Sequence, residues 1–461
     1  MTTLGPEDVL VNLNHARDFL AASPRSIREG RIKKVSGFVL EVEGLPLAIG
    51  AGACIFAGAN KRVIDAECIG FDGSMTFLMA VDAIEGITPG ALVYPANTPF
   101  KTSAGFMTRS SVEPLPIDFS LLGRVVDGFG RPLDGKVGNT QQIVKKPAKA
   151  INPLLRSSIE EPLDTGIRCV NGMLTVGRGQ RLGIFAGSGV GKSVTLGMLA
   201  RNCKADVIVI SLVGERGREV REFCEDVLGE EALKRAVVVA APADSSPLAR
   251  AKGAWYGTEI ASWFRDQGKH VVLIVDSLTR FAMAQREIGL SLGEAPVSRG
   301  YTPSVFGKLP ELIEKAGNGT NPEGSLTAFY TILLDGDDIN DPISDTARGV
   351  LDGHLFLSRE LADSGHYPAI DIELSISRVM PRVVNEAHLK AARRVKQLYS
   401  RYMRGRDLLN MGAYAAGSDP DFDKAIRLWP QIQRFLQQDV TEVISFEDSF
   451  ADLVAIAEAA K

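Results

Sequence analysis

Cysteine, histidine and aromatic residues are all scarce in this chain of 461 residues. Its five cysteines, Cys54, Cys68, Cys169, Cys203 and Cys224, are odd in number and scattered, with no CxxC pair. That excludes a disulfide framework and a cysteine-ligated zinc site, and a reduced cytosolic setting fits best. The five histidines stand at no metal-ligand spacing, which argues against a histidine-based metal enzyme. There is no apolar run long enough for a transmembrane helix, and mean hydropathy is close to zero. The N-terminus lacks the basic stretch and apolar core of a signal peptide. A dominant charge is missing too: 52 Lys plus Arg stand against 56 Asp plus Glu, a net charge of −4. A general nucleic-acid coat protein is thereby excluded, although local basic patches are not.

What is present is the composition of an ordinary globular protein, with 45% hydrophobic and 23% charged residues. The length suits roughly two to four domains. Four segments are expected. Residues 1–30 hold a short helix over 5–22, with Pro6, Glu7 and Asp8 in its first turn and Val9, Leu13, Ala16 and Leu20 at helical spacing. It either docks on its own domain or serves as a handle for a partner. Residues 31–103 carry short apolar runs broken by glycines, the pattern of a small β-barrel. Residues 104–382 alternate apolar strands with helical stretches. The strands are 181–186, 207–213, 236–241, 271–276 and 326–334, nearly continuous apolar runs, as in a parallel sheet covered on both faces. Residues 383–461 lack strand signals and read as a helical bundle, with helices over 386–403 and 421–438. The fold class is α/β, with a β-barrel before it and helices after it.

The chemistry centres on Ala186-Gly-Ser-Gly-Val-Gly-Lys-Ser193, between the strand 181–186 and a helix over 194–202. Glycines let successive N–H groups of Gly187, Ser188, Gly189, Val190, Gly191 and the following Lys192, Ser193 and Val194 converge on phosphates. Lys192 is suited to reach the β- and γ-phosphates and the Ser193 hydroxyl to ligate Mg²⁺. The strict motif opens with glycine. Here Ala186 holds that place, at the strand end. Asp276 ends an apolar strand and is a second Mg²⁺ candidate. Glu215, in Val213-Gly-Glu-Arg216, ends the next strand after the loop helix and is the candidate to orient water and take its proton.

Further runs carry a specific resemblance. Leu121-Leu-Gly-Arg-Val-Val-Asp-Gly-Phe-Gly-Arg-Pro-Leu-Asp-Gly135 resembles the start of the catalytic domain of rotary-type ATPases. Leu163-Asp-Thr-Gly-Ile-Arg168, the segment 177–193, Gly300-Tyr-Thr-Pro-Ser-Val-Phe306 and Ile343-Ser-Asp-Thr-Ala-Arg-Gly-Val-Leu-Asp-Gly-His354 are closer still to type III protein-export ATPases. The chain is most similar to the flagellum-specific branch. ATPases of virulence injectisomes share nearly all these motifs. The resemblance implies a homohexameric ring with an N-terminal barrel, a RecA-like P-loop ATPase domain and a C-terminal helical domain, using ATP and Mg²⁺. It makes Glu215 the catalytic carboxylate, with Arg216 on the phosphates or holding that carboxylate. It makes Arg378, in Ser375-Ile-Ser-Arg378, an arginine finger for a neighbour's γ-phosphate, and Tyr367 the ring that stacks on adenine. Phe435 would close the other side, and Val440 stands where the related synthases carry a second aromatic.

The resemblance also implies partners: a regulatory stator-like protein at the N-terminal helix, a central stalk-like protein, an export gate and chaperone–cargo complexes. It implies a cytoplasmic position, peripheral at an inner-membrane export apparatus. The aspartate-rich loop 334–342 is either a polar turn or, repeated around a ring, a surface for a basic central partner, and the basic stretch 388–406 is either a solvated helix face or a docking surface for an acidic partner or anionic headgroups. No nucleic acid is expected. An RNA-translocating helicase would need exposed aromatics and cations in the barrel, yet 31–103 offers little beyond Phe56, Lys61 and Arg62. A non-hydrolysing scaffold would not need Glu215, Lys192 and Asp276 together.

Overall fold

The structure, a computed structural model, describes residues 28–57, 62–96, 98, 100–102, 105–107, 117–136 and 151–460. The helix expected over 5–22 and the candidate cation Lys61 lie outside these residues. The chain divides into two compact units. One holds the barrel together with Ser246–Leu248 and Ser291–Gly293, and the other holds nearly all the rest.

The first unit is a closed six-stranded barrel of β1 (Gly30–Ser36), β2 (Val39–Glu43), β3 (Gly52–Ala57), β4 (Arg62–Asp72), β5 (Met75–Ala80) and β6 (Leu92–Pro95). Its strand order is β1-β2-β5-β4-β3-β6, all antiparallel. Closure leaves no free edge, and Ile32, Leu40, Val42, Ile55, Ile64 and Leu78 fill the interior. Phe56 is packed edge-on against Tyr94, with ring centroids 5.5 Å apart, so it is engaged within the barrel.

The second unit is built on an eight-stranded sheet. Its strands are β7 (Arg124–Val126), β8 (Arg181–Ala186), β9 (Val207–Val213), β10 (Ala236–Ala241), β11 (His270–Asp276), β12 (Ser325–Leu333), β13 (Gly353–Leu357) and β14 (Ile370–Ser377). The order is β14-β13-β8-β12-β11-β9-β10-β7, parallel except for β14, which runs against β13. The five expected strands are present within a residue or so at each end. Every residue of β9 and β10 is buried, which is why they read as unbroken apolar runs. β7, β13 and β14 escape that reading. β14 is an edge strand whose exposed positions carry Glu373, Leu374 and Ile376, so it lacks a continuous apolar run.

The C-terminal helices are α3 (Glu386–Asn410), α4 (Pro420–Leu436) and α5 (Phe446–Ala459). They follow two shorter site helices, α1 (Arg168–Met173) and α2 (Lys192–Asn202). Asn385, Asp419 and Ser445 cap α3, α4 and α5 by accepting first-turn N–H bonds, which leave those donors satisfied. α3 outlasts its expected end at 403 because Gly405 is part of the packing: a Cβ there would meet the ring of Phe422. Leu398, Phe422, Leu428, Ile432 and Leu453 share one hydrophobic cluster with Leu182, Ile184 and Leu196 of the sheet and α2. The helices are thus continuous with the core of the nucleotide domain.

Candidate active site

β8 ends at Ala186, so the residue that departs from the strict motif is the last strand residue, paired with Leu333 and Leu357. The loop then curls through Gly189 (φ 78°) and Gly191 (φ 88°), left-handed conformations that a side chain would oppose. Gly187 is pinned by close approach instead: a Cβ there would run into the ion pair of Asp337 and Arg359. No side chain caps α2, so its first N–H groups face the loop's concavity. Ser188, Gly189, Ser193 and Val194 are exposed there, while Val190 is buried under the loop.

The sheet order explains the rest of the site. β12 lies between β8 and β11, and β9 lies beyond β11, so Asp276 and the Gly214-Glu215 turn sit at neighbouring strand ends beside the loop. Ligands of open α/β sheets bind at these carboxyl ends. Lys192 spans the gap: its Nζ is 2.5 Å from Asp276 Oδ1 and 3.4 Å from Glu215 Oε1. Thr331, on β12, donates its hydroxyl to Asp276 Oδ1 at 2.6 Å. Burial lowers the pKa of Lys192, but the two carboxylates more than reverse this and hold it above its ordinary value. Burial pushes Glu215 up, Lys192 pulls it back and Glu219 pushes it up again, leaving it above the ordinary carboxylate range. A carboxylate so shifted is a better base than a solvated one. The oxygens of Asp276, Ser193 and Thr331 are the hard donors that suit Mg²⁺.

Arg216 turns away from this cluster. Its side chain is 84% exposed and pairs with Glu219 at 3.5 Å, so it neither touches nor clamps Glu215 here. Tyr367 stands beside the phosphate loop. Its ring edge lies 3.3 Å from the Cβ position of Gly191 and lines a cavity of about 690 Å³, with Arg168, Gln433, Arg434, Gln437 and Gln438 on other walls. Phe435 is not on those walls. It is 2% exposed and points into the core against Gly172, because α4 turns Gln433, Arg434 and Gln437 to the cavity and its apolar face inward. Phe435→Ala is accordingly expected to cost about 3–5 kcal/mol in urea unfolding, while the KM for ATP shifts less than with Tyr367→Ala.

Arg378 follows β14 directly and donates to the Leu351 carbonyl at 3.2 Å. β14 is antiparallel: Ile370 pairs with Leu357 beside the phosphate loop, and Ser377 pairs with Gly353 at the far end of the sheet. β14 is bulged against β13, so from Ile370 to Ser377 it spans the four-residue step from Leu357 to Gly353, about 13 Å at 3.3 Å per residue. The Arg378 guanidinium is turned to Leu351, just before β13, not to the phosphate loop of its own chain.

Two charged surfaces are engaged largely within the chain. Three of the four acids of the aspartate-rich loop already have partners: Asp337 pairs with Arg359 and Asp338 with Arg299, each at 2.8 Å, and Asp341 caps the helix Pro342–Val350. Along α3, Lys390, Arg394, Arg401 and Arg406 pair with Glu386, Asp421, Asp419 and Glu360, and Lys396 bonds the Glu373 carbonyl, so four of the seven cations of the basic stripe are paired with acids outside 388–406. Thr331, Arg359 and Gln438 are site neighbours that sequence reasoning missed. Thr331 and Arg359 reach the site through the sheet, and Gln438 through the packing of the segment after α4.

A phosphate loop feeding a parallel sheet, with a lysine between two strand-end carboxylates, defines a P-loop ATPase. Residues 166–377 match the ATP synthase alpha/beta family, nucleotide-binding domain, and residues 384–455 match the T3SS EscN ATPase C-terminal domain. The chain is 53% identical to the flagellum-specific ATP synthase of Salmonella typhimurium, over 96% of this chain and 97% of that one. It is 46% identical to the Bacillus subtilis protein of the same name, over 92% and 95%. The assembled ATPase EscN of the enteropathogenic E. coli type III secretion system superposes with a TM-score of 0.83 at 41% identity, covering 93% of this chain and all of that one. EscN solved with its central stalk EscO gives 0.81 at 40%. The chain belongs to the family of flagellum-specific ATP synthases. It is an ATP-hydrolysing enzyme of type III protein export. Among the described residues no helix is long and apolar enough to cross a membrane.

Proposed function

We propose that the protein works as a homohexameric ring that hydrolyses Mg-ATP between subunits to energise or prime flagellar export. The observation that carries this is the split of the site. Lys192, Glu215 and Asp276 converge at one end of the sheet while Arg378 stands at the other. A head-to-tail ring brings the second end of one subunit to the first end of the next.

In this reading the loop Gly187–Val194 and Lys192 hold the triphosphate, and Tyr367 stacks on adenine. Glu215 aligns a water in line with the γ-phosphate and takes its proton, which its raised pKa favours. Lys192 leaves Asp276 and Glu215 for the phosphates. That frees both carboxylates for their own tasks and delivers a cation to the developing charge. Arg378 of the neighbouring subunit adds the second cation. Ser193 and Asp276 would hold Mg²⁺, with Thr331 fixing the Asp276 carboxylate. When bound, the ion neutralises charge on the β- and γ-phosphates. Arg216, paired outward with Glu219, is at most a support for the Glu215 turn.

The four-segment division at 30/31, 103/104 and 382/383 belongs to the same reading. So do the partners: a stator-like protein at residues 1–30, a stalk-like protein in the ring as EscO is in EscN, an export gate and chaperone–cargo complexes. The site of action is the cytoplasmic face of the export apparatus, with peripheral membrane contact. The flagellar branch is preferred over the injectisome because identity to flagellar relatives reaches 53–54%, against 41% to EscN.

Steady-state hydrolysis against protein concentration tests the ring, with Glu215→Gln as the blank. Specific activity is expected to climb with concentration as hexamers form. A monomer by sizing, at a dose where it outpaces the blank, would sink the shared site.

A further inference from the structure

Gln438 lies just past α4, is 6% exposed, and uses its whole amide. Its Oε1 accepts the Arg168 N–H at 2.7 Å. Its Nε2 donates to the Gly166 carbonyl at 2.8 Å and the Glu442 carbonyl at 2.9 Å. Its backbone N–H donates to the Tyr367 carbonyl at 3.0 Å. One buried residue therefore joins the start of α1, the turn before α5 and the segment that carries Tyr367. Arg168 tightens the same joint, donating to the Arg434 carbonyl at 2.9 Å and to Glu442 Oε1 at 3.0 Å.

Tyr367 itself is 41% exposed, so packing alone does not hold its ring. Gly191 lies against one side, and the hydrogen bond from Gln438 fixes its backbone. Phe435 is turned into the core, and among the described residues that line the cavity Tyr367 is the one aromatic. The width of the cavity is set by how the Gln433–Gln438 wall is fastened relative to Tyr367. The buried side-chain amide, bonded to the Gly166 and Glu442 carbonyls and the Arg168 N–H, rigidly holds the backbone whose own N–H reaches Tyr367, because breaking it strands polar groups away from water.

We propose that Gln438 is a positioning residue for the nucleobase. By tying Tyr367 to the helical segment behind the cavity, it sets the base site without touching the phosphates. The inference rests on the reading of Tyr367 as the platform for adenine. Phosphate recognition, which belongs to the loop Gly187–Val194, is left outside its influence.

The experiment compares two ligands on the full-length enzyme: ATP, read as KM, and inorganic triphosphate, which has no base, read as a competitive Ki. Gln438→Ala is expected to raise the KM for ATP about tenfold, with the Ki for triphosphate moving less than about twofold. Tyr367→Ala should show the same signature. Adding Gln438→Ala to Tyr367→Ala should raise KM less than about twofold further, since both act through one platform. Gln438→Glu keeps the length and the acceptor but loses both donors. It should reproduce the pattern if the alanine variant does not fold. If Tyr367→Ala raises KM and neither Gln438 variant does, the inference fails alone. Equal weakening of ATP and triphosphate means a general structural role and also overturns it. If Tyr367→Ala leaves KM unmoved, the base-platform reading fails and takes the inference with it.

Discussion

Arg378→Ala is expected to lower ATP turnover by about 10³–10⁵-fold, the range of a lost arginine finger, while nucleotide binding changes little. The reason is positional. The antiparallel edge strand β14 delivers Arg378 to the end of the sheet opposite its own phosphate loop, and in the proposed ring that end meets a neighbour's nucleotide. Mixing makes the test strict. Arg378→Ala retains Glu215 and Glu215→Gln retains Arg378, and each alone is nearly inactive. Co-assembled at equal amounts, about a quarter of head-to-tail interfaces pair an intact Glu215 with an intact Arg378. Activity should therefore reappear in the mixture. A mixture as silent as its components, with mixed rings shown to form, would remove the finger from Arg378.

Glu215→Gln is the second large effect. Losing a positioned general base costs about 10²–10⁴-fold in kcat, with ATP binding retained because Lys192 and the loop are intact. The pH profile adds a sign. Glu215 must be ionised to accept a proton, and burial with Glu219 nearby holds its pKa above the usual value despite Lys192. The acid limb of kcat/KM should then lie above the ordinary glutamate pKa of about 4.3. Activity should be full above that limb and fall as pH drops through it. In Glu215→Gln the residual rate should lose that limb. An acid limb that persists unchanged in the variant belongs to another group.

Much of the site was legible because its chemistry is local in sequence. Gly187 to Val194 form one loop whose function depends on consecutive N–H groups. Asp276 and Glu215 each end an apolar strand, and a strand end beside a phosphate loop is a place that a linear reading can name. The fold class was legible for the same reason, since doubly covered strands such as β9 and β10 announce themselves as unbroken apolar runs. Phe435 and Arg216 show the limit. Both lie in motifs that suggested contact with nucleotide. The rotation of α4 sent Phe435 into the core, and the Arg216 side chain found Glu219 instead. The partners of the aspartate loop were hidden for a related reason: the cations that satisfy it, Arg299 and Arg359, are distant in sequence or on another strand end.

By itself, then, the sequence determined the phosphate loop, its lysine, the two strand-end carboxylates and the barrel–sheet–helix order. Each of these depends on short-range pattern: glycine freedom, apolar period and residue type. Only the tertiary structure decided that Lys192 bridges Asp276 and Glu215, that Thr331 steadies Asp276, and that Gln438 fastens Tyr367. It also decided that Arg378 faces away from its own site. These outcomes depend on strand order, on the reversed direction of one edge strand and on the rotation of one helix. Those quantities are set by packing among segments hundreds of residues apart, and no local pattern encodes them.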